Sequence, residues 1–502
     1  MLKYNHQIEY TPKPTGKKGN NMKQGKALLS LAAAALMLLS ACASQAENVD
    51  SLLTEPQTAQ TAETVHAEDT APPETEKPVT EGTVSSASTQ TSSETSSAAE
   101  SSAASAATTA AITAAAVTTT TAKPPAATTT TTTAPKTEPA ATTTEEVKKP
   151  VIQEYNDNMS TAEVVYNMGA GINLGNTLES CGDWINKNGG VRAYETAWGS
   201  PVITKEIIKG YADCGFGVLR IPVAWSNLMS EDYTINRELM DRVKEITQWA
   251  LDCNMYAIVN IHWDSGWWEK FPTDKENCMK KYTRIWEQIC EGFKSFGGKV
   301  MFESLNEEGG WDSLWNRYSN QGDKAASYGL LNEINQKFVD IVRSSGGNNG
   351  TRHLLIAGYC TDIDLTCDSM FKMPNDPKNR CAVSVHYYTP STFCILEKDE
   401  SWGKAKTTWG SDNDKKELTK YMDMIKTTFV DKGIPVIIGE YGVATGNKTA
   451  DVVRLFISSV VKEARSRNIC PVLWDTTGHF YDRSKCKFYD DELLRQIMAA
   501  AY

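Results

Sequence analysis

The stretch Lys299–Gly310, KVMFESLNEEGG, decides the fold. Val300, Met301 and Phe302 form a short apolar run of the kind that makes a buried strand. The run ends in Glu303, Ser304, Asn306, Glu307 and Glu308, and two glycines follow. Carboxylates this close together repel one another, so a strand that ends this way needs counter-charges or a chemical task to offset the cost. At least one of these acids is expected to act on a substrate.

Working outward from this strand, β-prone runs recur at Ile172–Leu174, Val218–Pro222, Tyr256–Asn260, His353–Ile356, Ala382–Val385, Val436–Gly439 and Pro471–Trp474. Helical periodicity fills most gaps between them: Thr204–Cys214, Arg237–Cys253, Glu276–Phe296, Leu331–Ser344, Lys415–Val430, Ala450–Arg467 and finally Asp490–Ala500. Only the stretch after the fifth run, Tyr359–Lys378, lacks a clear helix. Eight alternating units predict an α/β fold, a (β/α)8 barrel, in which functional side chains gather just beyond the C-terminal ends of the strands. The polar outliers obey that rule: Asn176, Arg220, His262, Asn306 with Glu307, His386 with Tyr388, Glu440 and Trp474 each lie in or just after one of the runs. GAGINLG at Gly169–Gly175 misses the dinucleotide spacing and leads into a loop, so nucleotide binding is not expected.

Composition divides the 502 residues in three. From Met22, Lys23 and Lys26 precede an apolar stretch, Ala27–Leu39, that has the length of a signal-peptide core and is short for a membrane span. Leu39-Ser40-Ala41-Cys42 resembles the lipobox of bacterial lipoproteins, which implies export and lipidation at Cys42; the alternative is ordinary cleavage near Ala41 or Ala43 and free secretion. Residues 1–21 read as an upstream extension, with translation beginning at Met22. Residues 43–150 are rich in Thr, Ser, Ala, Pro and Glu and nearly devoid of large apolar side chains, so they are expected to form an extended tether. Residues 151–502 are then the catalytic domain. A net charge of -11 with no basic block excludes nucleic acid and an anionic surface as partners. Setting Cys42 aside, eleven of the twelve cysteines remain without zinc spacing. No metal, no cofactor and at most one or two disulfides are expected, with Cys214, Cys253 and Cys290 as small core residues.

Two acids, Glu307 and Glu440, follow strands on opposite sides of the predicted barrel. Glycosidic bond cleavage needs such a pair, one carboxyl donating a proton and the other attacking. The motifs GINLGNTLE, VLRIPVAW, VNIHWD, SLNEE, VHYY, IGEYG and LWD, in this order, resemble glycoside hydrolase family 5 over residues 160–502. GINLGNTLES with YETAWGSP is most similar to its subfamily 4 of endoglucanases and xyloglucanases. The resemblance implies a retaining endo-β-1,4-glucanase acting on β-glucans, with Glu307 as acid/base and Glu440 as nucleophile. It implies that Arg220 and Tyr388 orient Glu440, that Asn306 binds a sugar 2-hydroxyl, that His262 and His386 bind hydroxyls or position the acid, and that Trp474 floors the distorted ring. Glu308 stands where the family has proline, and Trp263 where it has a second histidine.

Other positions have plainer structural readings. Glu303 is expected to pair with a buried base and Glu308 to be a solvated loop residue. Of the loop tryptophans Trp263, Trp267, Trp268, Trp311, Trp315, Trp402 and Trp409, about half are expected to be sugar platforms and the others core plugs, with Trp249 and Trp286 in helices. Asp412–Asp414 reads as a helix cap. A β-mannanase and a non-catalytic glycan-binding surface protein are the rival readings, and a monomer is expected.

Overall fold

The computed structural model describes residues 153–502 except Asn320; Cys42 and the signal and tether segments lie outside the described residues. Eight parallel strands close into a barrel: β1 Gly171–Asn173, β2 Val218–Ile221, β3 Tyr256–Asn260, β4 Val300–Glu303, β5 Leu354–Ala357, β6 Cys381–Tyr387, β7 Val436–Tyr441 and β8 Cys470–Leu473. Around it run helices α1 Thr161–Asn167, α2 Lys205–Asp213, α3 Arg237–Asp252, α4 Lys275–Gly292, α5 Lys324–Ser344, α6 Asp412–Thr428, α7 Ala450–Arg465 and α8 Asp491–Ala501. The (β/α)8 expectation holds, and every expected strand and helix is present within a few residues. The largest difference is α5, which begins at Lys324 because Asp323 caps it, accepting from the Ala326 amide at 2.9 Å. The weak fifth unit contains only the four-residue helix Ile363–Thr366. Asp412–Asp414 does open a helix, with Ser411 and Asp414 forming a reciprocal capping box.

The period-2 alternation of strands splits the core. Outward residues such as Leu219, Val259 and Phe302 pack under the helices. Inward residues Val218, Tyr256, Ile258, Met301, Leu355, Ala382, Ile437, Cys470 and Val472 fill the lower barrel. Val164, Val165 and Met168 from α1 and its C-cap pack against this inner cluster. That plug was not foreseen, since seven residues, TAEVVYN, are too few to display a helical period.

Arg352, buried before β5, is the main polar exception in the lower half. It donates to the carbonyls of Phe293 and Phe296 (both 2.9 Å), Gly297 (3.2 Å) and Val300 (2.8 Å) and to Asn349 Oδ1 (2.9 Å). These carbonyls lie just past the C-terminus of α4, where the helix dipole favours a cation. Burial pulls its pKa down to about 10, so it remains charged at neutrality. Arg352→Met, which orphans these carbonyls, is expected to lower the unfolding free energy by about 4 kcal/mol, read from urea titration. Arg352→Lys is expected to recover only part, having one donor centre in place of a fork.

Candidate active site

Above the apolar layers the inward positions turn polar. Asn173, Arg220, Asn260, Glu303 and Ser384 are all wholly buried at the C-terminal end of the barrel. Arg220 stands two residues beyond Val218 and Glu303 two beyond Met301, so the same parity that fills the core aims both side chains inward. Arg220 Nε donates to Glu303 Oε2 at 2.7 Å, Nη1 to Glu440 Oε1 at 2.8 Å and to Asn173 Oδ1 at 3.1 Å, and Nη2 to Asn306 Oδ1 at 2.9 Å. Glu303 also accepts from Asn260 Nδ2 at 3.1 Å and from Ser384 Oγ at 2.6 Å. Its expected pairing with a buried base is therefore present, and the base is Arg220. Burial alone would lower the Arg220 pKa, but Glu303 and Glu440 more than offset it and the net shift is upward.

Glu307 and Glu440 meet across this layer. His386 Nδ1 lies 2.8 Å from Glu307 Oε1 and 3.6 Å from Glu440 Oε2. One carboxylate oxygen from each acid and a ring nitrogen of His386 lie within 4.8 Å of one another. Register explains the meeting: the β6–β7 pairing shifts after Val385 and Ile438, with Gly439 as the extra residue on β7, which brings His386 opposite Glu440. A Cβ on Gly439 would come within 3.0 Å of Ser384 Oγ, so glycine leaves room for the layer beneath Glu440. Tyr388 OH donates to Glu440 Oε2 at 3.1 Å. Burial, then the charges of Glu440 and Glu307, hold Tyr388 well above the ordinary phenol range, so it stays a donor. Burial raises the Glu440 pKa, and Glu307 adds to the rise against the pull of His386 and Arg220. Glu440 accepts from a guanidinium and from a phenol, and both donors favour its anion against the cost of burial. By donor count Glu307, His386 and Glu440 are also where, among the described residues, a cation would find ligands.

A cleft of about 670 Å³ opens over the pair and is lined by every site residue expected from the sequence except Arg220, which lies beneath it. His262 stacks parallel to Trp474, centroids 5.8 Å apart at 7°. Burial first, then Arg220 and His386, push the His262 pKa well down, so its imidazole is neutral. Several expectations need correction. Glu308 is buried rather than solvated, because Gly309 (φ 117°) and Gly310 (φ 60°) turn the loop back over Tyr359. Tyr359 OH accepts from the Gly310 amide at 2.8 Å, and the Glu308 carbonyl accepts from the Cys360 amide at 2.8 Å. Among the seven loop tryptophans only Trp263 and Trp402 line the cleft, fewer than half. Trp268, Trp311, Trp315 and Trp409 are buried plugs, and Trp267 stacks on Trp268 at 3.9 Å. Sequence reasoning missed Trp198, Tyr318 and Tyr421, which do line the cleft; Trp198 lay in the quoted YETAWGSP, but nothing periodic marks a loop residue. The eleven described cysteines are free thiols, Cys290 buried and Cys214 and Cys253 partly so.

The family profile described as Cellulase (glycosyl hydrolase family 5) matches residues 180–480. This chain belongs to that family. Cellulase/esterase CelE of Acetivibrio thermocellus is 32% identical over 358 residues, covering 68% of this chain and 41% of CelE. A xyloglucan-specific endo-beta-1,4-glucanase of Bacteroides ovatus is 32% identical over 354 residues, covering 66% of this chain and 68% of that protein. Among solved structures, a GH5-4 broad specificity endoglucanase from an uncultured bovine rumen ciliate superposes with a TM-score of 0.62 at 34% identity, covering 68% of this chain and 98% of that one. The chain thus spans less than half the length of CelE, and the family 5 barrel is the shared part.

In this family 5 site Arg220→Met would leave Glu303 and Glu440 buried without their shared cation. The expected cost is about 3–5 kcal/mol at neutral pH, measured by urea unfolding. Glu440, raised already by burial, rises further in the variant. A carboxyl whose folded pKa is raised contributes stability below its unfolded value and loses it as pH rises through the folded one, so the deficit is expected to shrink as the pH is lowered toward 4.

Proposed function

We propose that this chain is a retaining endo-β-1,4-glucanase in which Glu440 attacks and Glu307 donates and later accepts the proton. The observation that carries this reading is that one carboxylate oxygen of Glu307 and one of Glu440 lie within 4.8 Å of each other, with Arg220 and Tyr388 donating to Glu440. Retaining glycosidases hold their carboxyls about 5–5.5 Å apart, whereas inverting ones leave room for a water between them. Glu440, kept as the anion by Arg220 and Tyr388, bonds to the anomeric carbon while Glu307 passes its proton to the departing glycosidic oxygen. In the second step Glu307 takes a proton from water, the water oxygen bonds to the anomeric carbon, and the bond to Glu440 breaks. Asn306 has its Oδ1 committed to Arg220, so its amide N–H groups are the part left for a sugar 2-hydroxyl. Trp474 and the neutral His262 flank the reacting ring.

An open cleft with Trp198, Trp263, Trp402 and Trp474 along it suits a chain of pyranose rings bound by their apolar faces, which favours cleavage within a polysaccharide. Neutral β-glucans are the proposed substrates, with xyloglucan among them, as the named relatives are glucanases and a xyloglucan-specific enzyme. The pair of carboxylates has no use in a pure binder, and nothing in the relatives' names favours mannan. A lipid anchor at Cys42 and cell-surface location complete the reading, supported by LSAC after an apolar stretch.

Glu440→Ala and Glu307→Ala are each expected to lower kcat on mixed-linkage β-glucan by at least about 10³, in line with the loss of a nucleophile or a general acid. Glu307→Ala alone should keep forming the glycosyl-enzyme from a dinitrophenyl cellobioside, whose leaving group needs no proton. NMR of the first product should show the β-anomer; an α-anomer defeats the assignment. Since Glu440 must be ionised and burial raises it, the acid limb of kcat/KM is expected above the ordinary glutamate value of 4.5, and Tyr388→Phe, removing a donor to the anion, should move it higher. For the anchor, Cys42→Ala is expected to move the protein from the membrane pellet to the medium, followed by immunoblot.

A further inference from the structure

After β4 the chain forms a small hairpin whose arms, Trp315–Asn316 and Gln321–Gly322, pair antiparallel. Trp315 anchors it from below, buried with its centroid 5.7 Å from Tyr359. Arg317 ties it sideways, with Nη1 2.9 Å from Asp362 Oδ2 and Nη2 3.7 Å from Asp364 Oδ2, both in the loop after β5. Beside this clamp stands Tyr318, the most exposed large hydrophobic side chain among the described residues at 69% accessible, yet lining the same cleft as Glu307 and Glu440. An aromatic face held inside a cleft offers a flat apolar surface to a ring-shaped ligand, and the clamp fixes its place before a ligand arrives.

The place can be assigned. An acid that protonates a leaving oxygen must lie on the side of the departing chain. Glu307 belongs to the loop after β4, and the same loop supplies Arg317 and Tyr318. Trp474 after β8 and Trp198 after β1 belong to the other side of the cleft, since β8 and β1 are neighbours in the barrel. We infer that Tyr318, positioned by Arg317, is the platform for a neutral pyranose ring on the leaving-group side. This rests on the retaining-glucanase reading and adds to it a determinant of chain binding. The surroundings fit an uncharged ring: Asp362, Asp364 and Glu417 line this end of the cleft and would repel an anionic substituent.

The test compares two substrates. Cellopentaose needs sugars on both sides of the cleaved bond, whereas dinitrophenyl cellobioside presents only an aryl group on the leaving side. Tyr318→Ala is expected to lower the ratio of kcat/KM on cellopentaose to kcat/KM on the aryl cellobioside about tenfold, mostly through KM, the loss expected for one ring stack. Tyr318→Phe and Tyr318→Trp should restore the ratio, because the ring face and not the hydroxyl is used. Arg317→Ala should lower it in the same direction, and cellopentaose products should shift toward cleavage nearer the reducing end. An unchanged ratio in Tyr318→Ala, or equal losses on both substrates, overturns the platform. Failure of the wild-type protein to hydrolyse either substrate would instead overturn the glucanase reading.

Discussion

One buried guanidinium organises this barrel. Arg220 reaches Glu303, Glu440, Asn173 and Asn306 at once, so a strand, the nucleophile candidate and the residue before the acid share a single rigid fork. Its value lies in placement more than in net stability. Each of its two ion pairs, with Glu303 and Glu440, is worth on the order of 4–6 kcal/mol at an effective dielectric of about 20. Removing each charge from water costs several kcal/mol in return, so the assembled network is close to neutral. Taking away one member is a different matter, because it strands a charge in a dry layer. The network therefore specifies one arrangement without greatly deepening the native minimum.

The arrangement follows from strand parity. Because inward positions recur every second residue, the sequence needs only to switch from apolar to polar at one height for the polar layer to lie on top of the apolar one. Val218 then Arg220, Ile258 then Asn260, Met301 then Glu303, and Ala382 then Ser384 make that switch on four strands. Glu440 falls outside the simple alternation, and the shift at Val385–His386 with the missing side chain at Gly439 brings it into line. A bulge and a glycine thus correct the one acid that period 2 would misplace.

This explains which parts were legible in the sequence. Strand and helix order, the inward pairing of Glu303 and the convergence of Glu307, Glu440, Arg220 and His386 could be read because periodicity and position after a strand are local properties. Loops carry no such period. Whether Trp263 faces the cleft and Trp311 the core depends on how each loop folds back, and Glu308 is buried through a glycine turn over Tyr359 rather than through any pattern of its own. The α1 plug escaped notice for a related reason, being too short to show its amphipathic face.

The same division separates chemistry from specificity. In the layer around Arg220 nearly every polar atom already has its partner within the protein, so a substitution there leaves an orphan and is costly wherever it falls. Around the rim, Trp198, Trp402 and Tyr318 line the cleft, each from a different loop. A rim residue can change without breaking the hydrogen bonds of Arg220 beneath it. A barrel built in this way can keep one reaction while altering the length, branching or charge of the chain it accepts, because the hydrogen bonds that set the carboxyl separation do not pass through the residues that choose the sugar.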